Sequence, residues 1–271
     1  LQHADRSPGD VVALVAGLAG LNSPENQEWA ERCTAVPGLT CPRLHLNDAE
    51  VAHAGAFRSR PGVIAVSGTG STIFALTDNG RRITNDAFHH YAGAARHLAF
   101  DTMHRLLAGD AVKNDQAFVA DVLAHWQMPD LAALRVHVAD MGQRDYNAEK
   151  RMYGAMARLI TNAAQSGAPL ARAACDQLAW ALAIGVRLLG EMYSGPGVDV
   201  ALIGGVARSR YIIGRVTLLL AKKSEKHYRV IDPALKPEEG ATLLALEQAG
   251  VAITDEIVRQ LARGAHHITG A

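Results

Sequence analysis

The chain of 271 residues lacks several features that would place it at once. It has no excess charge. Its 27 basic side chains balance 27 acidic ones, and no run of Lys or Arg could track a phosphate backbone, which argues against nucleic acid as a partner. Its three cysteines, Cys33, Cys41 and Cys175, are an odd number without a Cys-x-x-Cys pair, so neither a disulfide framework nor a structural zinc site is expected. No apolar stretch reaches the roughly 18 to 20 residues that cross a bilayer, and the opening LQHADRSPGD is polar rather than leader-like. The expectation is a cytoplasmic protein away from membranes. The 12 histidines lack His-Glu-x-x-His spacing: His97 and His104 share a helix face with no carboxylate at ligand spacing, and His89 and His90 precede them in a loop.

What the chain does have is a 49% hydrophobic composition, enough to build one large core or two smaller ones. Its most informative stretch is Arg60 to Thr72, RPGVIAVSGTGST. Val63 to Val66 is a short β-branched run that suits a buried strand. It ends in SGTGS. Gly68 and Gly70 free the backbone to bend and turn N–H groups toward an anion, and Ser67, Thr69 and Ser71 add hydroxyls. A second strand, Thr72 to Thr77, follows at once, so the loop is a hairpin tip with no helix N-terminus behind it. Walker A loops and dinucleotide fingerprints lead instead into a helix. A plain hairpin tip of small residues has the same composition, and Gly-x-Gly by itself is a weak signal.

Around it the pattern alternates strands and helices. Strands are expected at Val11 to Ala16, Leu44 to Leu46, Asp199 to Ile203 and Tyr228 to Ile231, and Asp78-Asn79-Gly80 predicts a two-residue hairpin turn before a strand ending near Thr84. Helices are expected at Pro24 to Cys33, capped by Ser23, and over AEVAHAGAF after Asn47-Asp48. Further helices are expected near residues 92–108, 115–127, 147–166, 169–193, 238–249 and 253–263. Gly204-Gly205-Val206 forms a second glycine turn at a strand end. Asp48 stands where a strand hands over to a helix: it is either the helix cap or a carboxylate at a cleft mouth, since ligands collect beyond the carboxyl ends of strands in open α/β sheets.

Five stretches in order, LVAGLAGLNSPE at 14–25, LNDAEVAHAGAF at 46–57, GVIAVSGTGS at 62–71, DVALIGGVARS at 199–209 and PEEGATLLALEQAG at 237–250, resemble the BadF/BadG/BcrA/BcrD-type ATPases and N-acetylglucosamine kinases. These belong to the acetate kinase, sugar kinase, Hsp70 and actin superfamily. The resemblance implies an α/β protein of two ribonuclease-H-like domains with ATP in the cleft between them. Residues 1–59 would be an incomplete first domain, 60–250 a second with a helical insertion, and 251–271 a helix and tail able to return to the first. It also implies a kinase acting on a sugar or amino sugar, with Asp48 taking the hydroxyl proton and Asn47 and Thr69 near the sugar. Gly68, Thr69, Gly70 and Ser71 would lie near the β- and γ-phosphates, Gly204, Gly205 and Val206 near the adenosine, with Ser209 as a further contact and Mg²⁺ held by phosphate oxygens and water.

The chain departs from that family twice. No Asp-Gly-Gly-Gly-Thr-like first phosphate loop occurs in residues 1–10, which suggests that roughly fifty to sixty residues of such a domain are missing ahead of Leu1. Where the sugar kinases carry a Gly-Asp-Glu-Gly-Ser-like segment, the nearest match is His90-Tyr91-Ala92-Gly93-Ala94, without either acid. Two other readings stay open. One is an ATPase activator of a radical dehydratase or reductase, which needs an iron–sulfur cluster that the cysteine spacing does not offer. The other is a nucleotide- or sugar-binding relative without catalysis. The helical layer offers apolar surface for a homodimer.

Overall fold

The computed structural model describes residues 6–21, 23–141, 146–222 and 225–264. Two parallel strands, β1 (Leu14–Leu18) and β2 (Arg43–Asn47), flank α1 (Gln27–Cys33), which enters through a 3₁₀ turn at Pro24–Asn26. After α2 (Asp48–Phe57) comes a five-stranded sheet of β3 (Gly62–Ser67), β4 (Ser71–Leu76), β5 (Arg82–Thr84), β6 (Gly197–Ile203) and β7 (His227–Ile231). Its order is β5-β4-β3-β6-β7. The β3–β4 and β4–β5 pairs are antiparallel, and β3–β6 and β6–β7 are parallel. Between β5 and β6 run α3 (Ala95–Ala108), α4 (Gln116–Trp126), α5 (Leu131–Met141), α6 (Tyr146–Ser166) and α7 (Pro169–Gly190). The chain closes with α8 (Arg210–Leu220), α9 (Pro237–Gln248) and α10 (Asp255–Gly264).

The period of two along each strand decides which helix covers which face. Ile64, Phe74 and Ala201 point to one side, where Ala49, Ala52, Ala56 and Phe57 of α2 meet them. Val63, Ala65, Ile73, Ala75, Val200 and Leu202 point to the other, into a larger core built with α3, α6, α7 and α8. Both faces are covered, so the strands read as continuous apolar runs. At 22 residues, α7 is long and apolar enough by composition to span a bilayer, contrary to the sequence expectation. Leu170, Leu178, Leu182, Val186 and Leu189 are instead buried against the sheet and neighbouring helices, and the charges of Arg172, Asp176 and Arg187 interrupt its surface.

Two local expectations change. The turn at residues 78–80 is a three-residue loop, not a two-residue one: Gly80 N donates to Thr77 O at 3.0 Å, Thr77 N to Arg81 O at 2.9 Å, and only Gly80 takes a positive φ, +81°. A type I turn followed by a left-handed glycine satisfies the same Asn-Gly signal. The short helix α5 falls between the expected helices at 115–127 and 147–166, where Pro129 interrupts the helical pattern. Asp130 in fact accepts from Ala133 N at 2.8 Å and caps the helix start. The expected division at residues 59 and 60 falls in the turn 58–61 that joins α2 to β3. At the other end of the chain, α10 packs Val258 against Leu235 and Leu243, and its Asp255 pairs with Arg58 at 2.5 Å.

His53 locks α2 to the strand that follows. Buried between the rings of Phe57 and Phe74, its Nε2 donates to Gly62 O at 3.0 Å. Burial is the main cause that pushes its pKa down to about 4 from 6.5. Between those values the unfolded chain binds more protons than the folded one, so stability rises with pH there and is level above. The expected result is a loss on the order of 3 kcal/mol as pH falls through that window, measured by urea unfolding. A His53→Gln variant should lose correspondingly less; an unchanged acid limb would refute the assignment.

Candidate active site

The two glycine turns predicted from sequence meet in space. β3 and β6 are parallel neighbours, with Val66 opposite Ile203, so the loops at their carboxyl ends emerge side by side. Ser67 is buried at the junction: its carbonyl accepts from Val206 N at 3.1 Å and Ala207 N at 3.0 Å, and its Oγ donates to Gly93 O at 3.0 Å. Gly204 lies at φ +93°, and a Cβ there would stand 2.5 Å from Ser67 O. Only glycine fits. Gly68 faces Gly204 and Gly205 at van der Waals distance, and nothing lies within 4 Å of the Cβ position of Gly70 or Gly205. The backbone at both turns is therefore open to a ligand.

The loop Gly68–Gly70 is held by Gly68 N donating to Gly70 O at 2.9 Å, with Thr69 and Gly70 exposed at the tip. Along the chain no helix follows it, as expected. In space one arrives: Ala95 N, at the start of α3, donates to Gly68 O at 2.8 Å. That contact is invisible in sequence because 24 residues of hairpin, 3₁₀ turn and loop intervene between Gly70 and Ala95. Ser71 differs from expectation, since its Oγ is enclosed without a hydrogen-bond partner among the described residues. Its side chain is not presented to the cleft.

Asn47, not Asp48, caps α2, because its Oδ1 accepts from Ala49 N at 2.9 Å. Asp48 is thereby the first helical residue, with its carboxylate exposed. Since α2 and β3 run antiparallel on either side of the turn 58–61, the start of α2 and the end of β3 both lie away from that turn. Of the other expected site residues, Val206 is turned into the core, 4% exposed, with its N–H already bonded to Ser67. Ser209 caps α8, its Oγ accepting from Ile212 N at 3.4 Å. The Val206 side chain is withheld from the cleft, whereas the Ser209 hydroxyl keeps its proton to donate while it caps the helix.

Beside Gly204 and Gly205 opens a cleft of about 710 Å³, walled by Arg208, Asp232, Lys236 and Glu239. Sequence reasoning gave these four no role. Arg208 and Glu239 lay inside the quoted stretches, and Asp232 follows β7, the third parallel strand to end on this side. Glu239 Oε2 accepts from Lys236 N at 2.8 Å and closes the first turn of α9. A second hollow of about 780 Å³ lies between α4 and α6, away from the strand ends. The cysteines are dispersed: Cys33 is exposed on α1, and Cys175 is buried in α7, where loss of solvent pushes its thiol up to about 12. Among the described residues no three His, Cys, Asp or Glu side chains gather as metal ligands.

No protein-family model matches the chain. Over 81 residues it is 32% identical to an N-acetylmuramic acid/N-acetylglucosamine kinase of Clostridium acetobutylicum, a stretch covering 30% of this chain and 26% of that kinase. The match thus spans about a quarter of that curated relative. Its structure is similar to that of a proposed N-acetylglucosamine kinase from Chromobacterium violaceum, with TM-score 0.64, 22% identity and coverage of 89% of this chain and 78% of that one. It is also similar to a ROK family glucokinase from Streptomyces griseus solved with glucose and AMPPNP, with TM-score 0.52, 17% identity and coverage of 80% and 70%. At such identities the likeness establishes the mixed α/β fold of sugar-kinase structures.

Proposed function

We propose that this chain is an ATP-dependent sugar kinase, transferring the γ-phosphate to a hydroxyl of a hexose or an amino sugar such as N-acetylglucosamine or glucosamine. The observation that carries the reading is the bonded pair of glycine turns at the carboxyl ends of β3 and β6, beside a cleft of about 710 Å³. Such clefts of roughly 300 to 1,000 Å³ are the usual size for small-molecule sites. The sheet order supports a ribonuclease-H-like unit, with the first three strands antiparallel and the next two added in parallel. In this reading residues 1–59 belong to a companion domain, the protein works in the cytoplasm, and the helical layer offers apolar surface for a homodimer.

The open backbone at Gly205 fits a nucleoside, because nothing lies within 4 Å of its Cβ position. Lys236 and Arg208 supply positive charge on the cleft wall, and the amides of Thr69 and Gly70 with the Thr69 hydroxyl supply donors for phosphate oxygens. ATP contributes an activated phosphoryl group, and Mg²⁺ would be held by its oxygens and water. Asp48 takes the proton of the attacking hydroxyl, and Asn47 fixes the helix turn that aims it. Transfer of this kind depends on position and charge more than on covalent chemistry.

Calorimetry with ATP, followed by a coupled assay of ADP release over a panel of sugars, tests the reading. Binding of ATP with sugar-dependent ADP release is the expected result. Binding without turnover would favour the non-catalytic relative, and failure to bind ATP would overturn the cleft assignment.

A further inference from the structure

The hollow of about 780 Å³ between α4 and α6 is a second concave site, lined by none of the residues that build the glycine turns or the cleft beside them. Two fixed points hold it open. At one end Trp126 Nε1 donates to Met156 Sδ at 3.1 Å, and its ring meets that of Tyr153 edge to face. At the other, buried Asp115 accepts from Val112 N at 3.0 Å and from Leu170 N at 2.9 Å, which ties the start of α4 to the start of α7. The end of α4 thus lies by the middle of α6, and its start by the turn that ends α6, so the two helices run antiparallel. Between the ties Ala117, Ala155 and Ala163 line the walls where larger side chains would close the gap. The volume falls within the roughly 300 to 1,000 Å³ of small-molecule sites.

The lining is dipolar. Asp121 on α4 and Arg158 on α6 are opposite charges on the two walls, yet neither side chain forms a hydrogen bond or an ion pair with a described residue. The hollow keeps them apart, with space for a molecule between a carboxylate and a guanidinium. Asn114, Asn162 and Ser166 add uncharged donors and acceptors, and Phe118 and Leu159 supply apolar surface. Such a set discriminates by charge. A lone oxyanion that reaches Arg158 also meets the like charge of Asp121, and a lone cation at Asp121 meets that of Arg158. A molecule with both an oxyanion and an ammonium group satisfies both walls, because the guanidinium fork takes a carboxylate and the Asp121 carboxylate accepts from the ammonium.

We propose that this hollow binds a small zwitterion, a free amino acid or a dipeptide, at a site separate from the nucleotide cleft. Calorimetry on the full chain tests it with L-leucine and glycyl-L-leucine, and with 4-methylpentanoate and 3-methylbutylamine, which are leucine without its ammonium and without its carboxylate. The zwitterions should bind at least about tenfold more tightly than either singly charged analogue, and equally well with AMPPNP present. Arg158→Gln and Asp121→Asn, both at exposed positions, should each weaken that binding about tenfold. Ala155→Trp, which fills the hollow from the α6 wall, should abolish it. Circular dichroism melts register any loss of fold in the three variants, and the comparison of zwitterions with analogues on the parent chain stands without them. Failure of both zwitterions to bind overturns the proposal, as does equal binding of an analogue. Displacement by AMPPNP would move the ligand to the nucleotide cleft, and parental affinity in a folded Ala155→Trp would move it out of the hollow; either result also overturns it.

Discussion

Asp48→Asn lowers sugar phosphorylation by roughly 10² to 10⁴-fold, the usual contribution of a placed general base, while ATP affinity measured by calorimetry stays close to that of the parent. The substitution keeps the shape of the side chain and removes its basicity. The helix survives it because the cap is Asn47, whose Oδ1 holds Ala49 N. Losing a negative charge in the first turn of α2 removes about 0.3 to 1 kcal/mol of interaction with the helix dipole, too little to unfold a chain of this size. Asn47→Ala gives the converse pattern: it leaves the carboxylate in place and frees the helix start, at about 1 kcal/mol of stability. The pair separates base from bracket. Phosphorylation at the parental rate in Asp48→Asn would remove this residue from the reaction, and a large loss of ATP affinity would place it at the nucleotide.

How much of this was legible in the sequence follows from which contacts are local. The strand around Val63 to Val66 and its SGTGS tip are set by residues adjacent in the chain, and β3 and β4 lie where the pattern puts them. The site loop at Gly204 was legible for the same reason. Its partnership with Ser67 was not, since it depends on the parallel pairing of β3 with β6 across more than 130 residues. Asp48 was read as either cap or carboxylate because position alone cannot divide those roles between neighbours; the extended backbone of Asn47, at ψ 145°, settles which one caps. Val206 and Ser209 were read as ligand contacts because their motif position is right. Burial turns the Val206 side chain into the core and Ser209 takes up a helix cap, and neither is a property of sequence spacing. The cleft wall of Asp232, Lys236 and Glu239 escaped notice because it forms only when the β7–α9 loop folds beside Gly205.

Gly240→Ala is expected to destabilise this fold heavily for the addition of a single methyl. α2 and α9 cross at Gly55 and Gly240, and a Cβ on Gly240 would stand 2.3 Å from Val51 O, 2.6 Å from Gly55 N and 2.9 Å from Gly55 Cα. All three are backbone atoms, so no rotamer change can relieve the clash and the helices must separate. α2 cannot retreat, because Ala49, Ala52 and Ala56 already press its opposite side onto Ile64, Phe74 and Ala201. The expected loss is about 3 kcal/mol, the upper end for overpacking, or on the order of 10 °C in melting temperature. Gly214→Ala is the control. It sits on the exposed side of α8 with nothing within 4 Å of its Cβ position, and should raise stability by up to about 1 kcal/mol through helix propensity. Thermal melts of the two variants should therefore move in opposite directions. The first should also weaken ATP binding, since α9 begins at the cleft wall and α2 begins at Asp48. An unchanged melting temperature in Gly240→Ala would show that the two helices are not locked backbone to backbone.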